Sequence, residues 1–173
     1  MLFCDLKTNR LLLKNISEDD RDFIFSQFSD DIVTKYLFDA EPLVDMEGAD
    51  EIVDSYLQPE PRGHHRWVII RLADGEKIGT CGFHCWDTKE CKIDVGYDMK
   101  EKYWGNGYMQ EAMKEILMFA KDKMLIKEVR ACIYVENQRS IRLAEKCGFV
   151  LSGTYYEKFR GEEYLHNIYS LAL

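Results

Sequence analysis

Apolar and polar residues change rhythm several times along this chain, and the sharpest change falls between residues 93 and 124. Ile93, Val95, Tyr97 and Met99 alternate with Asp94, Gly96 and Asp98, the two-residue period of a strand with one apolar face. Met109, Ala112, Met113, Ile116, Leu117, Ala120 and Met124 then recur at steps of three and four, the stripe of an amphipathic helix. Trp104-Gly105-Asn106-Gly107-Tyr108 joins the two.

The same reading supplies the other elements. A short strand is predicted over 10–14. Ser17, with Asp20 three residues later, opens a helix that runs to Phe28 and turns Phe23, Ile24 and Phe28 inward. Ser29-Asp30-Asp31 opens a second short helix ending near Leu37. A loop over 38–46 leads to a helix over 48–57 with Ile52, Val53, Tyr56 and Leu57 on one face. Strands over 66–72, 77–86 and 94–99, with Asp74-Gly75 as the first hairpin turn, make an antiparallel meander. After the long helix, Val129, Ala131, Ile133 and Val135 alternate with Arg130, Cys132 and Tyr134, so a further strand follows by a parallel-type crossover. Asn137 caps a helix running to Lys146, and Gly148 stands where a helix C-terminus takes glycine. Strands over 149–158 and 164–171, turning at Arg160-Gly161, finish the chain.

Composition adds limits. With 173 residues, 46% hydrophobic and 31% charged, the expectation is one domain over 1–173 with a sizeable core. No apolar run approaches the roughly 18–20 residues of a membrane span, and the first ten residues lack the basic start and apolar run of a signal peptide. Six cysteines in that setting predict reduced thiols and a cytoplasmic protein. The net charge of −8 disfavours nucleic acid as a partner and suits an amine, a polyamine or a basic peptide terminus.

The glycine turn is the first candidate for chemistry. The leading N–H groups of a helix have no partner and carry partial positive charge, and glycine lets a phosphate approach the backbone. A pyrophosphate cradle and an ordinary strand-to-helix turn both fit it. Other groups argue for less. Cys81, His84, Cys85 and Cys91 have no standard zinc spacing; strand alternation puts Cys81 and Cys85 on one face and His84 on the other, so no metal site is expected. His64-His65 reads first as a pair of exposed loop histidines, with a catalytic role as the alternative. Cys147 reads first as a packing residue at a helix end, with a reactive thiol as the alternative.

Taken in order, Asn9-Arg10-Leu11-Leu12-Leu13, Asp94-Val95-Gly96-Tyr97, Trp104-Gly105-Asn106-Gly107-Tyr108-Met109-Gln110-Glu111-Ala112, Asn137-Gln138-Arg139-Ser140 and Glu145-Lys146-Cys147-Gly148-Phe149 resemble the GNAT superfamily of acetyl-CoA-dependent N-acetyltransferases. Within it the chain most resembles the bacterial-type ribosomal-protein branch (RimJ/RimL type). The resemblance implies an α/β (α+β) GNAT fold, a mixed, mostly antiparallel central sheet flanked by helices. It also implies acetyl-CoA as co-substrate without a metal, and direct attack by a primary amine in a ternary complex. The amine would be a protein N-terminus such as that of a ribosomal protein, a polyamine or another small amine. A homodimer is compatible with it.

By the same resemblance, backbone N–H groups of Trp104, Gly105, Asn106, Gly107, Tyr108 and Met109 hold the pyrophosphate. The strand edge at Tyr97, Asp98 and Met99 pairs with the pantetheine amides, and Asn137 faces the cofactor arm as well as capping its helix. Met109 departs from the family's Gly or Ala and is expected to point into the core. Asp94 is the base candidate, with Asp98 on its face as the alternative; either also reads as a solvated strand carboxylate. Many family members place a tyrosine at the position of Ala144; Ser140 is the substitute donor to the departing thiolate, or a first-turn serine bonding locally. Tyr36, Phe38, Trp86 and Tyr155 are candidates for the acceptor pocket. A non-catalytic acyl-CoA-binding protein of the same fold is the rival reading. A generic nucleotide-binding module lacks the glycine count and acidic ribose partner of a dinucleotide fingerprint.

Overall fold

One parallel pair inside an otherwise antiparallel sheet decides where this molecule opens. The computed structural model describes residues 2–38 and 40–173. Its strands are β1 (Leu6–Lys7), β2 (Leu11–Asn15), β3 (His65–Arg71), β4 (Lys77–Asp87), β5 (Lys92–Met99), β6 (Glu128–Tyr134), β7 (Val150–Phe159) and β8 (Glu162–Ala172). They form an eight-stranded sheet in the order β1-β2-β3-β4-β5-β6-β8-β7. The helices are α1 (Arg21–Phe28), α2 (Asp31–Thr34), α3 (Met46–Leu57), α4 (Tyr108–Asp122) and α5 (Gln138–Lys146).

β5 and β6 run parallel, and their register holds for Lys92↔Glu128, Ile93↔Val129 and Asp94↔Arg130. Beyond that point β5 continues to Met99 and β6 to Tyr134 without pairing to each other. The two strands therefore splay, and α4 and α5 start from their C-terminal ends. The crevice outside the carboxyl ends of parallel strands is where open α/β sheets bind ligands.

The α4 stripe supplies much of the main core. Ala112, Met113, Ile116 and Ala120 are fully buried against Trp67, Ile69, Phe83 and Ile93, each large side chain contributing about 1.5–3 kcal/mol. Met124 is buried too, although the helix ends at Asp122. On the other face, Ile24 of α1 and Ala49 and Val53 of α3 pack on Val68. Ser17 opens the chain toward α1 as expected, its N–H donating to Asp20 Oδ2 at 2.8 Å; a 3-10 turn over Glu18–Asp20 precedes α1.

Several expectations need correction. α3 begins at Met46, because Asp45 Oδ1 accepts from Gly48 N–H at 3.2 Å, and its Leu57 is 40% exposed. α2 stops at Thr34. In the loop placed over 38–46, residue 39 lies outside the described residues. β1 was not foreseen; two residues carry no period.

Cys81 and Cys85 do not share a face. The β4–β5 register shifts between His84 and Asp87, Cys85 has φ 53°, Cys81 is fully buried and Cys85 is exposed. The six cysteines are free. Among the described residues no helix is long and apolar enough to cross a membrane.

His65 is not an exposed loop histidine. It is 1% exposed on β3, stacked on Phe3 at 4.0 Å. Its Nε2 lies 2.9 Å from Asn15 Oδ1 and its Nδ1 2.8 Å from Arg62 Nη2. Arg62 can only donate, so Nδ1 accepts and the ring is neutral. Burial first, then the Arg62 and His64 charges, holds its pKa down at about 3 against an ordinary 6.5. The unfolded chain thus takes up a proton near pH 6.5 that the folded chain refuses until about pH 3. This group's contribution to stability is complete above pH 6.5 and falls by about 1.4 kcal/mol per unit below it. Between pH 6.5 and 5, urea titrations should show wild type losing about 2 kcal/mol more than His65→Gln; equal losses would refute the buried neutral histidine.

Candidate active site

Where β5 and β6 part, a groove of about 1030 Å³ opens, bordered by β5 at Tyr97, Asp98 and Met99, the loop Trp104 to Gln110, and the start of α5 at Asn137 and Ser140. Gly105 and Gly107 have φ of 77° and 75°, a left-handed backbone that glycine adopts without strain. Gly107 is the N-cap of α4 and, as glycine, has no side chain to cap that helix. Its first N–H groups are therefore left to whatever enters the groove. Met109 is 9% exposed and belongs to the core, so its side chain turns inward and leaves the loop backbone clear.

Two tethers hold the loop. Trp104 Nε1 donates to Met99 O at 2.7 Å. Arg10 Nη1 donates to Asn106 O at 3.0 Å, and its Nε reaches Glu111 Oε2 at 2.6 Å. Burial alone would raise the Glu111 pKa, but hydrogen bonds from Thr8 and Arg10 outweigh it and hold the carboxyl below its ordinary value.

Cations outnumber acids only slightly around this groove, where Asp98, Glu101 and Glu136 also stand. Lys35, Arg139, Arg142 and Lys146 border it, and the Arg139 guanidinium lies 3.5 Å from the Trp104 ring centroid. Arg10 and Arg139 are site residues that residue period does not single out, although both sit inside the motifs quoted above. The missed signal was cations clustered at those motifs in a chain of net charge −8.

On α5, Asn137 Oδ1 accepts from Ser140 N–H at 3.2 Å, the cap expected of it. Ser140 Oγ lies 2.6 Å from Tyr97 Oη. Burial first pushes the Tyr97 phenol up to about 12, against the Ser140 hydrogen bond. Ala144 is 1% exposed. A phenol thus reaches Ser140 from the strand, a contact that periodicity cannot reveal.

Strand alternation sends Asp94 to the opposite side of β5 from Tyr97. It is 8% exposed, and Arg130 Nε donates to its Oδ1 at 2.8 Å, raising the Arg130 pKa. Its neighbour is a cation, not a second carboxylate. The His84 ring lies 3.3 Å from where a Gly96 Cβ would be, over the strand backbone at the splay; His84 was not expected there.

Asp98 borders the groove, but its carboxylate faces the α1 side. It accepts from Gln27 Nε2 at 2.7 Å, Thr80 Oγ1 at 2.5 Å and Arg66 Nη1 at 3.0 Å.

Of the four acceptor candidates the structure brings three together. Phe38 stacks on Tyr164 at 4.2 Å and meets Tyr134 at 4.8 Å. Tyr36 lies 5.8 Å from Tyr134, and Tyr155 lies 5.3 Å from His166. Tyr134 shares the Arg130 face of β6, so this aromatic wall and Asp94 stand on one side of the sheet. Trp86 is elsewhere, in a separate cleft with His84 and Cys85.

A groove ending on two helix N-termini, with hydroxyls on one side of the strand and a carboxylate on the other, has the shape and donors to take a phosphate-bearing carrier. The acetyltransferase (GNAT) domain model matches residues 10–150. The Bacillus subtilis protein called uncharacterized N-acetyltransferase YoaA is 32% identical over 98% of this chain and 97% of its own length. A spermidine N-acetyltransferase from Vibrio cholerae, solved with CoA and spermine, superposes with a TM-score of 0.84 at 18% identity, covering 95% of this chain and 96% of that one. RimL, the ribosomal L7/L12 α-N-protein acetyltransferase solved with coenzyme A, also gives 0.84 at 18% identity, over 96% of each chain. This chain belongs to the GNAT acetyltransferase family and is an acetyl-CoA-dependent acetyltransferase. The fold matches the expected mixed sheet with flanking helices.

Proposed function

We propose that the chain, as one catalytic domain, is a cytoplasmic N-acetyltransferase of the RimJ/RimL type acting on a primary amine, a protein N-terminus or a small polyamine. The observation that carries this reading is the two-sided splay at β5. Loop and cations suited to a pyrophosphate lie at one end. A carboxylate and an aromatic wall, suited to an amine, lie across the strand.

Acetyl-CoA supplies the acetyl group as a thioester. Main-chain N–H groups of 104–109 hold its pyrophosphate, with Arg139 and Lys146 neutralising charge. The freed edge of β5 at Tyr97, Asp98 and Met99 pairs with the pantetheine amides, beside Asn137. Asp94 accepts the proton that the attacking ammonium must shed. A β5 N–H polarises the carbonyl, and Ser140, backed by the Tyr97 phenol, donates to the leaving sulfur. Tyr36, Phe38 and Tyr155 shape the acceptor side; Trp86 has no part in that wall.

For an α-amine of pKa roughly 8, deprotonation at pH 7 costs about 1.4 kcal/mol, and for a lysine amine about 4–5. Asp94→Asn is therefore expected to lower turnover on an α-amine about tenfold at pH 7, with less effect at pH 9 and coenzyme A affinity within twofold. A pH–rate profile identical to wild type would remove Asp94 as base. The class is tested by following thiol release on a panel of N-terminal peptides and polyamines. Tight acetyl-CoA binding with no acceptor turned over would sink this proposal in favour of a binding protein.

A further inference from the structure

An unbroken β4 would send His84 and Cys85 to opposite faces of the sheet. The register shift between His84 and Asp87, with Cys85 left-handed at φ 53°, brings both round to one side. A non-glycine residue held in that conformation costs about 1–2 kcal/mol, and such strain clusters at functional sites. Asp94 is the direct cross-strand partner of His84. One nitrogen of His84, Cys85 Sγ and one Asp94 carboxylate oxygen all lie within 4.8 Å of one another.

We propose that His84, Cys85 and Asp94 bind one thiophilic divalent cation, Zn²⁺, and that this ion inhibits acetyl transfer by occupying Asp94. The second half rests on Asp94 as the base; the first does not. The ion is an inhibitor here, not a cofactor of the reaction.

Zinc takes sulfur at about 2.3 Å and nitrogen or oxygen at about 2.0–2.2 Å in a tetrahedron, which sets ligand atoms roughly 3.3–3.7 Å apart. Side-chain rotation closes the remaining distance. Arg130 Nε donates to Asp94 Oδ1, so the ion shares this carboxylate with the guanidinium. Neutral imidazole, thiolate and carboxylate balance the two positive charges, with the Cys85 proton released to solvent. His84 and Cys85 open on a cleft of about 500 Å³ shared with Tyr56, His64 and Trp86, which gives an entry path and room for water as fourth ligand. The guanidinium beside Asp94 opposes a cation, so binding is reversible.

The full chain, stripped with chelator and reduced, is titrated with Co²⁺ and followed by thiolate-to-cobalt charge-transfer absorption. One ion per chain is expected, displaced by Zn²⁺. Cys85→Ser should abolish the band and His84→Ala should weaken binding at least about tenfold, while Cys91→Ser and Cys4→Ser keep it. Circular dichroism checks that the variants fold. No band in the native chain, or a band that survives Cys85→Ser, overturns the site. Zn²⁺ should inhibit acetyl-CoA turnover by the native chain and spare Cys85→Ser. Equal inhibition of both overturns the link to Asp94. The optical titration needs no acceptor, so it stands or falls independently of the proposed amine substrate.

Discussion

Gly107→Arg is expected to raise the dissociation constant for coenzyme A at least about 100-fold, a loss of about 2.7 kcal/mol. Gly107 caps α4 at φ 75°, where an L-residue costs about 1–2 kcal/mol. A Cβ built there lies 3.6 Å from Arg10 Nη2. That is ordinary contact, so volume alone is not the obstacle. The added chain must run from the cradle itself, past a second guanidinium, over the N–H groups that a pyrophosphate would take. Gly107→Ala isolates the backbone component and should lose less. Isothermal titration with coenzyme A measures both, and unchanged affinity in the arginine variant would end the cradle assignment.

Asp98→Ala should cost about 3–5 kcal/mol of stability, the range for removing one partner of a buried ion pair. The Asp98 side chain is 4% exposed and its partner Arg66 18%. Without the carboxylate, the guanidinium is left with Thr80 Oγ1 and with Tyr56 and Phe28, whose ring centroids lie at 5.2 and 5.4 Å. Gln27, fully buried, loses the acceptor for its Nε2. The double variant Arg66→Met/Asp98→Leu removes both charges and should recover much of the loss. Urea midpoints at constant slope decide the matter. A single-variant cost below about 1 kcal/mol would mean that water reaches Arg66 and that the network is not sealed.

These two residues mark how far the sequence could be read. Gly107 was legible because its role lies in the local backbone: two glycines between a strand period and a helix stripe leave few conformations. Asn137 and Gly148 were legible for the same reason. Asn137 bonds Ser140 N–H three residues on, and Gly148, at φ 92°, ends α5. Asp98 had a readable face but not a readable partner. Gln27, Arg66 and Thr80 come from α1, β3 and β4, and no period couples elements that distant.

The same division explains the histidines. His65 looked like loop because it follows Arg62-Gly63-His64, yet β3 starts on it and Phe3 covers it from the other end of the chain. Alternation separates His84 from Cys85, and a shift of register breaks that rule. Tyr97 was placed correctly on its strand, but its phenol meets Ser140 from 43 positions away.

By itself, the sequence determined the elements, the central strand–loop–helix unit and the family. The elements and that unit follow from main-chain hydrogen bonding and side-chain period, which act over a few residues; the family follows from the resemblance of the quoted motifs. Only the tertiary structure decided which groups stand together: Arg10 against the glycine loop, Tyr97 on Ser140, Arg130 on Asp94, and the splay that opens the groove. Each of those contacts is made between side chains or strands far apart in the chain, and its energy depends on burial and distance, which exist only after the sheet has closed.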